Sequence, residues 1–530
     1  MPHTKKAHRD SAYNVLKRAQ SLRYPLIGQG IVVGVAASLV TIAYRLLIDQ
    51  SGILLQTVID HARGNLWLIL GWMALLLVMA VFIDWLNRKE PMSAGSGIPQ
   101  VEGELCGLFD ANWKRVLPIK FISGILTLGC GLSMGREGPS VQLGAMAGKG
   151  VSDLWKRSKS EEKLLITAGA GAGLAAAFNA PLSGLLFALE ELHKNLSTDV
   201  LLSTMAACVT ADFISKYVFG LTPAISFSNV EMLPWNMLWV AVVMGLLTGA
   251  LGAFYNFCCN LTQNLYSAST WLTSRGKLMI PFFFAGLLAF TFPQVLRDGH
   301  NLIDLLIYDR PGMGMLLLIL VVKYVYSMMC FGSNAPGGTL VPLIVLGALI
   351  GGAAGTVAVE VFHVDAALYQ NFMLLGMTGY FAAIIKAPIT GILLTCEVTG
   401  SFRQFLPYSM VALVAYVVSD LLQAKPIYEQ LLNRMIATRG ENRHSNQSFT
   451  TKTLVEIPIY HGSRGEGKTI GEIPWPADCL VVSVQRDERE IIPKGGVRLY
   501  AGDTIVLLTN EERVHHLRER MARLFQLRTQ

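Results

Sequence analysis

The sequence predicts an all-α polytopic membrane protein built from two related halves, followed by a small α+β domain. Three observations predict it. The 530-residue chain is 52% hydrophobic and only 15% charged, with a mean hydropathy of +0.44. A soluble protein of this length needs more charge to cover its surface. Long apolar runs recur from about residue 26 to residue 422, and two blocks of them repeat. Beyond Leu432 the composition turns polar and the pattern changes to short strands and turns.

The first 24 residues carry Lys5, Lys6, Arg9, Lys17, Arg18 and Arg23 against one acid, Asp10, part of a net charge of +7. A basic start before the first apolar span places the N-terminus in the cytoplasm. It does not read as a nucleic-acid site, because no aromatic residues are spaced for base stacking. The run that follows, Leu26 to Ile48, is too long for the apolar part of a signal peptide, and no small-residue cleavage site follows it.

Spans near 26–48, 67–84, 200–219, 236–256, 279–293 and 314–331 approach the roughly 20 residues that a bilayer-crossing helix needs. Shorter segments broken by Gly and Pro lie near 116–134, 137–150, 164–178, 181–192, 342–357, 371–385, 387–397 and 406–422. Broken helices at membrane depth are tolerated where they are buried in protein or line a cavity, which points to a transport pathway. The 50 glycines fit membrane helices in close contact. Gly169-Ala-Gly-Ala-Gly173 is read as such packing and not as a dinucleotide loop, since no strand precedes it. The eight cysteines form no CxxC pair and sit mostly in apolar runs, so neither a disulfide nor a metal site is expected. No cofactor is expected either, and nothing marks the chain as an enzyme.

The halves, about 25–220 and 235–436, share two blocks. Asn179 to Glu190 matches Lys386 to Glu397, pairing Pro181 with Pro388, Gly184 with Gly391 and Glu190 with Glu397. Upstream, Pro139 and Gly144 match Pro342 and Gly347 at almost the same offset. Interrupted apolar segments in corresponding places of two halves point to a binding site at the repeat interface.

Three loops place Gly and Pro just before apolar helical runs: Gly95-Ser96-Gly97-Ile98-Pro99, Gly135-Arg136-Glu137-Gly138-Pro139 and Gly337-Gly338-Thr339-Leu340-Val341-Pro342. A fourth segment, Lys425-Pro426-Ile427-Tyr428, comes late in the chain. Pro suits the first helical turn, and Gly frees the backbone before it. Several helix N-termini aimed at one spot bind an anion through partial charges. Partial charges also release it, which a fixed Lys or Arg in low dielectric does poorly.

Glu137 stands out beside such a helix end. Ionised, it competes for the anion site; protonated, it vacates it, so one side chain couples a proton to an anion. Arg136 either attracts anions at the mouth or pairs with an acid. Glu190 has a repeat mate in Glu397 and reads as structural. Glu191 has none, because Val398 stands opposite, which makes it the candidate for proton entry from the cytoplasm.

Together, the three Gly/Pro loops, the Asn179 block ending in Glu190-Glu191 and the Lys-Pro-x-Tyr segment resemble the signature of the CLC chloride channel and transporter family over about residues 20–435. The resemblance implies a CLC fold of two inverted-topology repeats and a homodimer with one pore per subunit in the cell (inner) membrane. It implies that Ser96 and Tyr428 hydroxyls hold chloride with the backbone of Gly138, Thr339 and Leu340. Glu137 becomes the gating glutamate and Glu191 the internal proton glutamate, as in exchangers of the family; a passive chloride channel of the same fold is the alternative. Ser96 favours chloride, since plant nitrate exchangers carry Pro there. Thr339 and Leu340 depart from the family's usual Ile and Phe, which leaves amide donation intact and alters the pore lining.

Residues 437–452 read as a polar linker and 453–530 as a cytoplasmic domain. Val455–Tyr460, Cys479–Val484 and Thr504–Leu508 are strand-like, and a charged helix is expected over 511–524. The stretch from Val455 to Arg520, with Gly465-x-Gly467-Lys468-Thr469-Ile470, Ile491-Ile492-Pro493 and Ala501-Gly502-Asp503, resembles the RCK-C regulatory domain. That resemblance implies a small regulatory ligand, with cyclic di-AMP as the candidate.

Overall fold

A computed structural model describes residues 3–194, 196–221, 227, 230–269, 272–438, 452–476, 479–486, 489–510, 517, 520, 521 and 525. The chain divides into two compact units, Met1–Arg434 and Met435–Gln530.

The first unit is helical. Its first half runs α1 (His3–Ala62), α2 (Leu66–Lys89), α3 (Ile98–Leu105), α4 (Trp113–Gly129), α5 (Glu137–Leu154), α6 (Lys159–Phe178), α7 (Pro181–Phe187) and α8 (Thr198–Phe219). The second half runs α9 (Trp239–Ala268), α10 (Ser274–Thr291), α11 (His300–Tyr308), α12 (Met313–Gly332), α13 (Leu340–Glu360), α14 (Tyr369–Ile385), α15 (Pro388–Thr399) and α16 (Phe405–Leu421), and α17 (Ile427–Thr438) follows. Each helix of the first half thus has a counterpart in the second, including the short α3 and α11, whose apolar periodicity was too brief to announce them. The basic N-terminal residues form the first turns of α1 instead of a segment apart, since nothing before Pro25, itself inside α1, breaks the helix.

Among the described residues, seven helices are long and apolar enough to cross a bilayer. Side chains such as Trp67, Phe213, Tyr217, Phe257 and Val321 are exposed on them, as expected for a surface solvated by lipid. By contrast, α13 and α14 are almost wholly enclosed by protein. Small residues allow this. At the α5–α6 contact a β carbon on Gly169 would sit 3.0 Å from the Gly144 carbonyl carbon and 3.2 Å from the Gly148 nitrogen. The glycine run of α6 is therefore a backbone-to-backbone packing face.

The second unit is a four-stranded antiparallel sheet in the order β1-β4-β2-β3, with β1 Lys452–Pro458, β2 Leu480–Arg486, β3 Arg489–Ile491 and β4 Thr504–Asn510. Val455, Ile457, Val484, Ile505 and Leu507 point to one face and pack with Leu517, Met521 and Phe525. Arg486 grips Asp503 through two hydrogen bonds of 2.7 and 2.8 Å. Strand β3 escapes a reading by alternation because it is three residues long and carries Arg489 and Glu490. Of the helix expected at 511–524, only Leu517, Arg520 and Met521 are described, and they are helical. Residues 439–451 of the expected linker lie outside the described residues.

Candidate anion and proton site

The three Gly/Pro loops meet. Gly135 and Gly338 form an isolated antiparallel bridge: the Gly135 N–H donates to the Gly338 carbonyl at 2.8 Å, and the Gly338 N–H returns to the Gly135 carbonyl at 2.7 Å. This pair sets the start of α5, at Glu137, beside the start of α13, at Leu340. The first loop joins them through Gly95, whose N–H donates to Asn334 and whose carbonyl accepts from Gly337, each at 3.1 Å. The backbones are close enough to exclude side chains. A β carbon on Gly138 would lie 2.7 Å from the Ser96 carbonyl, 2.8 Å from the Gly338 Cα and 2.9 Å from the Ser96 Oγ. The fourth segment arrives from α17, where the Tyr428 hydroxyl lies 3.1 Å from the Thr339 Oγ1. Four helix starts, α3, α5, α13 and α17, are thereby linked. Ile98, Pro99, Pro139, Val341 and Pro342 occupy the first turns of α3, α5 and α13, as the N-terminal preference of Pro requires.

Ser96 is 7% exposed, Thr339 3%, Leu340 and Tyr428 0%. The Ser96 Oγ is buried with no hydrogen-bond partner among the described residues, and so is the Glu137 Oε2. Glu137 is 1% exposed and opens α5 beside the head of α13. A buried hydroxyl, a buried carboxylate and helix N-termini at one place suit an anion, with the carboxylate able to stand in for it.

Arg136 pairs with an acid: its Nη1 is 3.1 Å from Asp49 on α1, and its Nε is 3.8 Å from Glu137. A cavity of about 430 Å³ lined by Asp49, Arg297, Asp298, Gly299 and His300 opens beside this pair.

Glu190 and Glu191 do not share an environment. Beyond Phe187 the helix widens into a π turn, Ala188–His193, a distortion common at functional sites. It turns Glu190 toward the start of α15, where its carboxylate accepts from the Ile389 and Thr390 N–H groups at 3.3 and 2.8 Å. Glu191 is 5% exposed, has no hydrogen-bond partner among the described residues, and lines a second cavity of about 530 Å³ with Lys194, Lys386 and Lys425. Lys194 in turn holds the buried Glu102 at 2.6 Å.

Several bracing residues were not read from the sequence. Gln100 accepts from the Gly97 N–H at 2.9 Å and donates to the Ala94 carbonyl at 2.6 Å. Gln142 donates to the Met92 carbonyl at 2.7 Å. Phe187 meets Tyr428 edge to face, with ring centroids 6.4 Å apart. Lys120, fully buried in α4, donates to the Ser93 and Gly95 carbonyls at 3.0 and 2.7 Å. Lys323, fully buried in α12, treats the Val295 and Arg297 carbonyls alike at 2.9 and 2.8 Å. A lysine at matching places within the apolar stretches of two helices was the available signal for these two.

Residues 75–420 match the family described as "Voltage gated chloride channel", and residues 454–522 match the TrkA-C domain. The chain is 36% identical over 425 residues to the "H(+)/Cl(-) exchange transporter ClcA" of Klebsiella pneumoniae (strain 342), covering 77% of this chain and 88% of the relative. It is 35% identical over 438 residues to the protein of that name from Salmonella arizonae, covering 79% and 90%. Among solved structures, a slow cyanobacterial Cl-/H+ antiporter superposes with a TM-score of 0.75 at 29% identity, over 79% of this chain and 99% of that one. A eukaryotic CLC transporter shares the fold with a TM-score of 0.66 at 21% identity, over 78% and 74%.

Proposed function

The chain belongs to the voltage-gated chloride channel (CLC) family, and from that premise we propose that it is a secondary active transporter exchanging chloride for protons. The observation that carries the reading is the buried Glu137 carboxylate at the joined helix starts. Chloride binds among the N-terminal amides of Gly138, Thr339 and Leu340 and the hydroxyls of Ser96 and Tyr428. Its negative charge meets only partial positive charges, so it is held and released. When ionised, Glu137 takes the anion's place; when protonated, it yields it. Each exchange of occupant thus carries a proton in one direction and chloride in the other. Glu191, at the wall of the second cavity, exchanges protons with the solution on its side. The relatives named as H(+)/Cl(-) exchangers support exchange over passive conduction.

The basic start of α1 supports an N-terminus in the cytoplasm of a cell (inner) membrane, and the family resemblance supports a homodimer with one pathway per subunit. The TrkA-C match supports a regulatory ligand at residues 453–530. Cyclic di-AMP is the first to test, by calorimetry on the full-length protein; absence of binding heat at high micromolar concentration removes it.

The deciding experiment uses purified protein in liposomes under a chloride gradient with no proton gradient. An exchanger drives protons uphill. Chloride flux without proton movement means a channel, and movement of neither ion removes the transport reading.

A further inference from the structure

The end of α2 carries a charge cluster that the anion and proton site does not use. From Leu66 to Ile83 the helix has no charged side chain. At 1.5 Å per residue that stretch spans about 27 Å, close to the roughly 30 Å of a bilayer's hydrocarbon core. Only 17% of it is buried, the lowest share among the seven candidate spans, so α2 faces lipid along its length. Asp84, Trp85, Arg88 and Lys89 follow. They therefore stand where hydrocarbon gives way to headgroups. Phe82 and Trp85, both exposed and stacked at 5.6 Å, mark the same boundary.

Asp84 is fully buried where α2 meets α10. Its Oδ1 accepts the Ser274 hydroxyl at 2.7 Å. Its Oδ2 holds two arginines by their Nε atoms, Arg88 at 2.8 Å and Arg275 at 3.2 Å. Both arginines are exposed, and their Nη groups make no hydrogen bond to another described residue. One negative charge thus faces two positive ones and leaves both Nη forks available. Lys89 adds a further cation, its Nζ 3.7 Å from the Trp85 ring centroid. Glu90, the next acid along the chain, accepts the Met92 N–H at 3.3 Å instead.

We propose that Arg88 and Arg275, held by Asp84, bind the phosphate of an anionic phospholipid, with Lys89 at the headgroup and Phe82 and Trp85 against the acyl chains. Guanidinium forks match phosphate oxygens in geometry as well as charge. Depth and surroundings select a lipid over a soluble phosphate, because the forks stand at headgroup height on a helix solvated by lipid. The excess positive charge selects an anionic lipid, since a zwitterionic headgroup brings a cation of its own. With the N-terminus in the cytoplasm, as proposed above, α1 crosses outward and α2 returns, so the site faces the cytoplasmic leaflet.

The test is native mass spectrometry of the full-length protein in detergent, titrated with phosphatidylglycerol, phosphatidylcholine or inorganic phosphate. Four proteins are compared: the wild type, Arg275→Gln, the triple variant Asp84→Asn/Arg88→Gln/Arg275→Gln, and Lys114→Gln/Arg115→Gln. The triple variant removes the acid together with its two cations, so no unpaired charge stays buried. Arg275→Gln leaves Arg88 on Asp84 and decides the matter alone if the triple variant does not fold. Lys114 and Arg115 are exposed at the start of α4, outside the cluster. The wild type should bind phosphatidylglycerol about tenfold more tightly than phosphatidylcholine. That affinity should fall about fivefold in Arg275→Gln and about tenfold in the triple variant, and hold in Lys114→Gln/Arg115→Gln. Equal affinity of the wild type for the two lipids overturns the proposal. So does an unchanged phosphatidylglycerol affinity in Arg275→Gln, or an equal loss in Lys114→Gln/Arg115→Gln. Binding of inorganic phosphate that Arg275→Gln weakens, with no preference for phosphatidylglycerol, overturns the lipid as the occupant.

Discussion

Glu190 and Glu397 cap each other's repeat. The Glu397 carboxylate, at the end of α15, accepts the Leu182 and Ser183 N–H groups at the start of α7 at 3.0 and 2.7 Å, and the Ser183 hydroxyl at 2.6 Å. Glu190, just past α7, accepts the Ile389 and Thr390 N–H groups at the start of α15 and the Thr390 hydroxyl at 2.7 Å. Each helix thus starts on the carboxylate that ends its mate, where the positive end of the dipole favours a negative charge.

Cutting either cap should cost stability and spare coupling. Glu397→Ala strands two N–H groups and the Ser183 hydroxyl, and a loss of about 1–3 kcal/mol is expected. Thermal unfolding in detergent should show it, with an unchanged ratio of chloride to protons in the active fraction. A stable Glu397→Ala protein with altered ratio would assign this residue to the proton route instead.

Glu137→Ala removes the tethered carboxylate that exchanges with the anion. Chloride flux should persist, and chloride-driven proton movement should fall below detection in the liposome assay. Proton pumping by this variant at the wild-type rate would show that another group carries the proton.

Glu191→Gln keeps the size of the side chain and removes its proton exchange. Proton movement should stop while chloride flux continues. The neighbouring Glu190→Gln should retain pumping, because its carboxylate is committed to the start of α15. Normal pumping by Glu191→Gln contradicts the role given to it.

Gly138→Ala places a methyl 2.7 Å from the Ser96 carbonyl and 2.8 Å from the Gly338 Cα. Both contacts are backbone and cannot swing aside, so the loops must part, at about 1–3 kcal/mol. Chloride flux should fall at least tenfold, measured by efflux from liposomes.

Lys120→Met leaves the Ser93 and Gly95 carbonyls without their donor. Hydrogen bonds to charged groups contribute about 1.5–3 kcal/mol each. A lowered unfolding temperature and weakened chloride binding by calorimetry are the expected outcomes. Lys323→Met should lower stability similarly and leave chloride affinity closer to the wild type, since the carbonyls it holds, those of Val295 and Arg297, lie outside the three loops of the anion site.

From the sequence alone came the membrane-solvated helices, the repeat, the three loops, the glutamates Glu137 and Glu191, and the boundary near residue 435. These are written in local signals: runs of apolar residues, Gly and Pro at helix starts, and spacing that recurs. The pairing of Glu190 with Glu397 as mates was legible too, but not that each caps the other's helix. What only the tertiary structure decided is which distant groups meet. It joined Gly135 to Gly338 and Tyr428 to Thr339, gave Arg136 to Asp49, and set Lys120 and Lys323 each on a pair of loop carbonyls. Such contacts depend on how helices far apart in the chain pack, and helix packing in a membrane is selected by close fit and by the need to satisfy buried polar groups. Neither leaves a periodic trace in the residues concerned.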